Sequence, residues 1–124
     1  MGKNNGKVTV LGAAFKPHTD DVRNSPALWV ARQLAAEGIE VSVYDPRVTA
    51  PAMPGTLCWA DTVEDACRGS ELLLHLTDWP EFRELDPTDL KRYVDSTVLL
   101  DARNLLDRGL WRAAGWDVHS MGRP

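Results

Sequence analysis

At 124 residues the chain suits a single domain, long enough to bury a core without disulfide or metal staples. Its 18 acidic against 14 basic residues give a net charge of −4, so the basic footprint of a nucleic-acid binder is missing. No apolar run approaches the roughly 20 residues that span a bilayer, and 44% hydrophobic with 26% charged residues is ordinary for a soluble globular domain.

The opening Met1-Gly2-Lys3-Asn4-Asn5-Gly6 lacks the apolar segment of a signal peptide. Residues 1–6 read as a flexible lead-in, such as cutting a longer chain would leave, and 7–124 as one domain of cytoplasmic location. Gly2 begins like a myristoylation motif, but Gly6 stands where that motif needs Ser or Thr. Lys7–Leu11 then reads as a strand. A long loop from Gly12 to Ser25 leads into a helix from about Pro26 to Glu37. Ser25 suits its N-cap, Pro26 its first position and Gly38 its C′ position. Leu28, Ala31, Leu34 and Ala35 recur at helical spacing and predict one buried face.

Glu40–Tyr44 reads as the second strand, closed by Asp45-Pro46. A proline-bearing connector from Pro46 to Pro54 leads to a short strand near Leu57–Trp59. Asp61 is expected to cap a short helix from Thr62 to Cys67, ended by Gly69. Leu72-Leu73-Leu74-His75-Leu76 is a continuous apolar run, as in a strand covered on both faces. Asp78–Phe82 reads as a capped helical turn and Pro87–Tyr93 as a short helix. A strand over Thr97–Leu100, a helix over Arg108–Ala114 ended by Gly115, and a strand over Trp116–His119 complete the chain. The alternation predicts an α/β fold: one Rossmann-like three-layer domain with a mainly parallel sheet of about five to six strands.

In such sheets ligands bind beyond the carboxyl ends of the strands, near the point where strand order reverses. That rule selects the loop from Phe15 to Arg23, Tyr44-Asp45-Pro46, Thr77-Asp78-Trp79 and Asp101-Ala102-Arg103-Asn104. Since the first and fourth strands should flank the switch point, the first and third of these segments are expected to lie close together. Lys16 offers three donors and a point charge to a phosphate or sugar hydroxyl, against the alternative of a solvated lysine. Phe15 walls a pocket or anchors the core. Asp20, Asp21 and Arg23 suit an ion-pair network that shapes the loop, since a metal would need more converging oxygens. Arg103 has the planar fork for a phosphate, or else pairs with Asp101. Asp45 is expected to form the turn. His18, His75 and His119 read as packing or surface residues, and no nucleophilic triad is present. Cys58 and Cys67 match no zinc or redox spacing and are expected as reduced, inert thiols. Trp29, Trp59, Trp79, Trp111 and Trp116 are many for this length, and some are expected at an interface.

Taken in order, several segments resemble the C-terminal, UDP-binding domain of the UDP-glucose/GDP-mannose dehydrogenase family. They are Gly12-Ala13-Ala14-Phe15-Lys16-Pro17, Thr19-Asp20-Asp21-Val22-Arg23-Asn24-Ser25-Pro26, Tyr44-Asp45-Pro46, Thr77-Asp78-Trp79-Pro80-Glu81-Phe82, Asp101-Ala102-Arg103-Asn104 and Gly122-Arg123-Pro124. Each is weak alone, and their joint order is specific; members that oxidise UDP-glucose are nearest by this pattern.

The resemblance implies a nucleotide-sugar-binding domain within a longer NAD-dependent enzyme. That enzyme would oxidise a C6 alcohol to a carboxylate in two hydride transfers. It implies substrate contacts at Phe15 (through its backbone), Lys16 and Arg103, with the UDP-sugar, the NAD-binding domain and a central domain as partners. A homodimer is left open. No catalytic residue, metal or cofactor is assigned to this chain itself, because the family's cysteine motif and the dinucleotide fingerprint have no counterpart here, and the chain alone is expected to be inactive. Two further departures are Ala102, where many members have Gly, and His75, where an apolar residue is usual. The competing expectation is a stand-alone, non-catalytic nucleotide-sugar-binding or assembly module, motivated by the tryptophans and the connector. An independent NAD-binding domain fails on the missing glycines.

Overall fold

The computed structural model describes residues 6–12, 26–46, 57–77, 79–102 and 106–120. Among them, β1 (Lys7–Leu11), β2 (Glu40–Tyr44), β3 (Cys58–Trp59), β4 (Leu72–His75), β5 (Val98–Asp101) and β6 (Asp117–Ser120) form one sheet. Its order is β3-β2-β1-β4-β5-β6 and every pairing is parallel. This is the doubly wound order, in which the winding reverses between β1 and β4. The helices are α1 (Pro26–Ala36), α2 (Val63–Cys67), α3 (Pro80–Arg83), α4 (Pro87–Leu90) and α5 (Arg108–Ala113). The expected Rossmann-like α/β domain is therefore present, with all six strands parallel. No described helix is long and apolar enough to cross a membrane.

Period-two alternation divides the core between the two faces of the sheet. Val8 and Val10 of β1 pack with Val41, Val43 and Leu74 against Ala31 of α1. Leu11, Leu73 and Leu99 face the other way, toward Cys67 of α2, Phe82 of α3, Leu90 of α4 and Trp111 of α5. Thr9 is fully buried on a central strand, and its hydroxyl donates to the carbonyl of Ala66 (2.6 Å), which meets the cost of burying it.

Local chemistry explains most boundaries, and some differ from expectation. The cap of α2 is Thr62 rather than Asp61: Thr62 has extended backbone (φ −138°, ψ 160°) and its hydroxyl oxygen accepts from the Asp65 amide at 3.0 Å. A cap must be the last non-helical residue, and Asp61 lies one too early. Trp116 is not part of β6. The amides of Gly115 and Trp116 donate to the carbonyls of Arg112 and Trp111 (3.0 and 3.1 Å), closing α5 with a Schellman motif. Gly115 supplies the required left-handed turn at φ +101°. Trp116 thereby folds back onto Trp111, edge to face at 5.0 Å, a contact worth about 0.5–1.5 kcal/mol beyond its burial.

The same closure ends α1, where Gly38 and Ile39 donate to Ala35 and Leu34. Strand β5 starts and ends one residue later than expected, which draws Asp101 out of the loop and into the sheet. Three tryptophans, Trp79, Trp111 and Trp116, are buried in the core, while Trp29 is 63% exposed.

Candidate functional site

The carboxyl ends of β1, β2, β4 and β5 meet at the point of strand reversal. Gly12, the first residue beyond β1, has φ +100°, and its amide donates to the Tyr44 carbonyl of β2 at 2.8 Å. A β-carbon placed on it would lie 2.5 Å from Cβ and 2.8 Å from the backbone nitrogen of Thr77. Only glycine fits a left-handed position with backbone this close. Leu76 and Thr77 in turn donate to the Leu11 carbonyl (3.0 and 3.4 Å), so the segments leaving β1 and β4 depart in contact. The expected neighbourhood of the first and third ligand-edge segments is realised at their described ends.

Among the described residues, three side-chain ties at this edge stand out. Trp79 Nε1–H donates to Asp45 Oδ2 at 3.1 Å, with both residues buried, and links the end of β2 to the segment after β4. Asp45 therefore does more than form its turn. Tyr44 O–H donates to Glu81 Oε2 at 2.6 Å, and its ring meets Phe82 edge-on at 6.1 Å. Burial first, and then the Glu81 carboxylate, hold the Tyr44 phenol far above its usual range, so it stays a neutral donor. Third, His75 Nδ1 lies 2.8 Å from Asp101 Oδ1, with both side chains fully buried. Asp101 Oδ2 accepts the Leu106 amide at 2.8 Å, and Phe82 packs edge-on against the imidazole at 5.6 Å.

His75 is buried in the core, as expected of a packing residue, and it also has a polar partner in Asp101. A signal for it stood in the sequence. A polar side chain inside a leucine run must find a buried partner, and parallel register places His75 directly beside Asp101. Tyr44–Glu81 and Asp45–Trp79 carried no such signal. His119, by contrast, is an exposed residue beside Asp117 (3.1 Å). Phe15, Lys16, His18, Asp20, Asp21, Arg23, Asp78 and Arg103 lie outside the described residues.

The thiols take no part. Burial, reinforced by Glu64, pushes the Cys67 thiol up to about 12, and Cys58 is exposed on β3, unbridged to it. No described cluster of three or more His, Cys, Asp or Glu side chains would hold a metal ion. A cavity of about 450 Å³ opens at the opposite edge of the sheet, lined by residues that include Lys7, Glu40, Arg68, Glu71 and Asp95. It sits at the amino ends of the strands, where sheets of this topology do not hold their ligands.

Residues 9–108 match the model of the UDP-glucose/GDP-mannose dehydrogenase family, UDP binding domain. The chain is 38% identical to UDP-glucose 6-dehydrogenase TuaD of Bacillus subtilis, over 100% of the chain and 28% of that protein. It is 32% identical to UDP-N-acetyl-D-mannosamine dehydrogenase of Methanocaldococcus jannaschii, over 97% and 28%. Among solved structures, the UDP-D-ManNAc dehydrogenase of Pyrococcus horikoshii superposes with a TM-score of 0.79 at 30% identity, covering 95% of this chain and 26% of that one. The chain thus spans a little over a quarter of the length of the proteins it matches.

Proposed function

Because the chain belongs to the UDP-glucose/GDP-mannose dehydrogenase family, as its UDP-binding domain, we propose that it grips the nucleotide sugar for a longer NAD-dependent dehydrogenase. The bound group would sit at the carboxyl edge, over the strand reversal between β1 and β4. The contact of Gly12 with Thr77 carries this reading: it brings two ligand-edge segments together with no side chain between them. Lys16 would meet the diphosphate as a point charge and Arg103 as a planar fork, with Phe15 contributing its backbone. Asp20, Asp21 and Arg23 would hold the first loop in shape. The substrate class is a UDP-sugar whose C6 alcohol becomes a carboxylate, UDP-glucose first among them.

NAD does not fit this chain's own residues. The loop after β1 lacks the Gly-x-Gly-x-x-Gly spacing. Asp45, at the end of β2 where a ribose-binding acid would stand, is buried and bound to Trp79. We assign the cofactor and the reacting cysteine to the remainder of the longer enzyme. This domain contributes binding, orientation and closure over the substrate.

A ¹⁵N NMR titration of the chain with UDP, carried to several millimolar, tests the site. The amides of Gly12, Thr77 and Ala102 should shift, and Glu71 at the amino edge should not. Lys16→Ala and Arg103→Ala should each weaken UDP binding by about tenfold, the scale of one lost charge-assisted contact. Shifts confined to the amino edge, or affinity unchanged in both variants, would overturn the assignment.

A further inference from the structure

Tyr44 is the last residue of β2, and Glu81 stands in the first turn of α3, which follows β4. Those two strands lie on either side of β1, with Tyr44 in register beside Leu11. The 2.6 Å bond from Tyr44 O–H to Glu81 Oε2 therefore spans the carboxyl end of β1. Gly12 leaves β1 at the same level, its amide donating to the Tyr44 carbonyl at 2.8 Å. The bridge stands at the strand reversal over which the nucleotide sugar is proposed to sit.

The bridge is anchored from below. Phe82, next in the chain to Glu81, is fully buried and meets the Tyr44 ring edge-on at 6.1 Å. A half-buried phenol thus fixes the carboxylate of an exposed glutamate. Among the described residues, Glu81 Oε1 has no hydrogen-bond partner, and Oε2 keeps a lone pair beyond the Tyr44 bond. A carboxylate held in one orientation before the ligand arrives loses less freedom on binding than a free side chain.

Its chemistry narrows what it can take. An ionised carboxylate accepts and cannot donate, and it repels a diphosphate. The hydroxylated rings of a nucleotide sugar fit it, because O–H donors make short, charge-assisted bonds to a carboxylate. In dinucleotide sites the acid at the end of the second strand holds ribose hydroxyls. Asp45 has that place in this chain but is buried, with Trp79 donating to it at 3.1 Å. Glu81 is an exposed acid that Tyr44 ties to the same strand end.

We propose that Tyr44 and Glu81 form a diol-reading subsite at this edge, in which Glu81 accepts from vicinal hydroxyls of the nucleotide sugar and Tyr44 holds its carboxylate in place. Glu81 is the contact, and Tyr44 is a positioning residue that acts through it. This role rests on the nucleotide-sugar binding proposed above. The diol belongs to the ribose or to the hexose, and the arms of the test separate the two.

NMR titrations of the 124-residue chain compare UDP, 2′-deoxy-UDP and UDP-glucose in the wild type, Glu81→Ala and Tyr44→Phe. Far-UV circular dichroism and thermal melting establish that each variant is folded. With ribose as the diol, the wild type should bind 2′-deoxy-UDP about fivefold more weakly than UDP, the scale of one exposed charge-assisted bond. With the hexose as the diol, it should instead bind UDP-glucose about fivefold more tightly than UDP. In either case Glu81→Ala should bring the ratio close to one, and Tyr44→Phe should lower it at least twofold, changes that a merely structural role would not produce. A ratio unchanged in Glu81→Ala, or a wild type that binds UDP with neither preference, overturns the subsite alone. A ratio unchanged in Tyr44→Phe overturns the positioning role of Tyr44. A wild type that does not bind UDP breaks the function proposed above, and the subsite falls with it.

Discussion

The two edges of the sheet are both polar, yet they are built on different physics. At the amino edge, charged side chains surround an open cavity and pair loosely. Arg68 meets Asp65 at 3.2 Å with both side chains more than half exposed, and its guanidinium lies 5.2 Å over the Tyr93 ring. Water and salt screen such pairs, and they hold little in place. At the carboxyl edge, Asp45, Thr77, Trp79, His75 and Asp101 are buried. Their bonds run between the ends of different strands, so each tie fixes where a loop begins. An open void is therefore a poorer guide to function than an edge whose polar groups are already oriented.

The contrast is broken most directly at Gly12. Gly12→Ala forces a side chain into the left-handed region and against Thr77 backbone, at a combined cost of about 2–4 kcal/mol. Urea denaturation should report that loss, and a variant as stable as the wild type would refute the close contact. Trp79→Phe keeps the ring in the core but removes the donor to Asp45, and should cost about 1–3 kcal/mol. The shift should appear in the same denaturation curves, with the NMR amides of residues 44–46 perturbed. Arg68→Ala, at the amino edge, should change stability by no more than about 0.5 kcal/mol and leave UDP affinity untouched. A larger effect there would erase the distinction between the edges.

Much of the fold was legible because its signals are local. The bounds of β1 and β2 follow from hydrophobic patterning, and the end of α1 from Gly38. Where reading by segment slipped, tertiary contact had intervened. Trp116 looked like a strand residue by its flanks, but its place is decided by Trp111 across the closing turn. Asp101 looked like a loop residue until its pairing with His75 extended the strand. The candidate loops were likewise legible as strand ends, and the Gly12–Thr77 contact agrees with the predicted adjacency of β1 and β4. The binding residues expected from family resemblance, Lys16 and Arg103 among them, lie outside the described residues.

The sequence by itself determined the alternation of strands and helices, the glycine stops and the order of motifs that marks the family, because each is written within a few neighbouring residues. Only the tertiary structure decided which polar groups meet. Asp45 finds Trp79 across 34 residues, Tyr44 finds Glu81 across 37, and His75 finds Asp101 across 26. Those partners depend on strand order and register, which a parallel sheet fixes only after its crossovers have closed. The loops proposed to serve the ligand begin on those same strands, so their starting geometry is set by contacts no single segment contains.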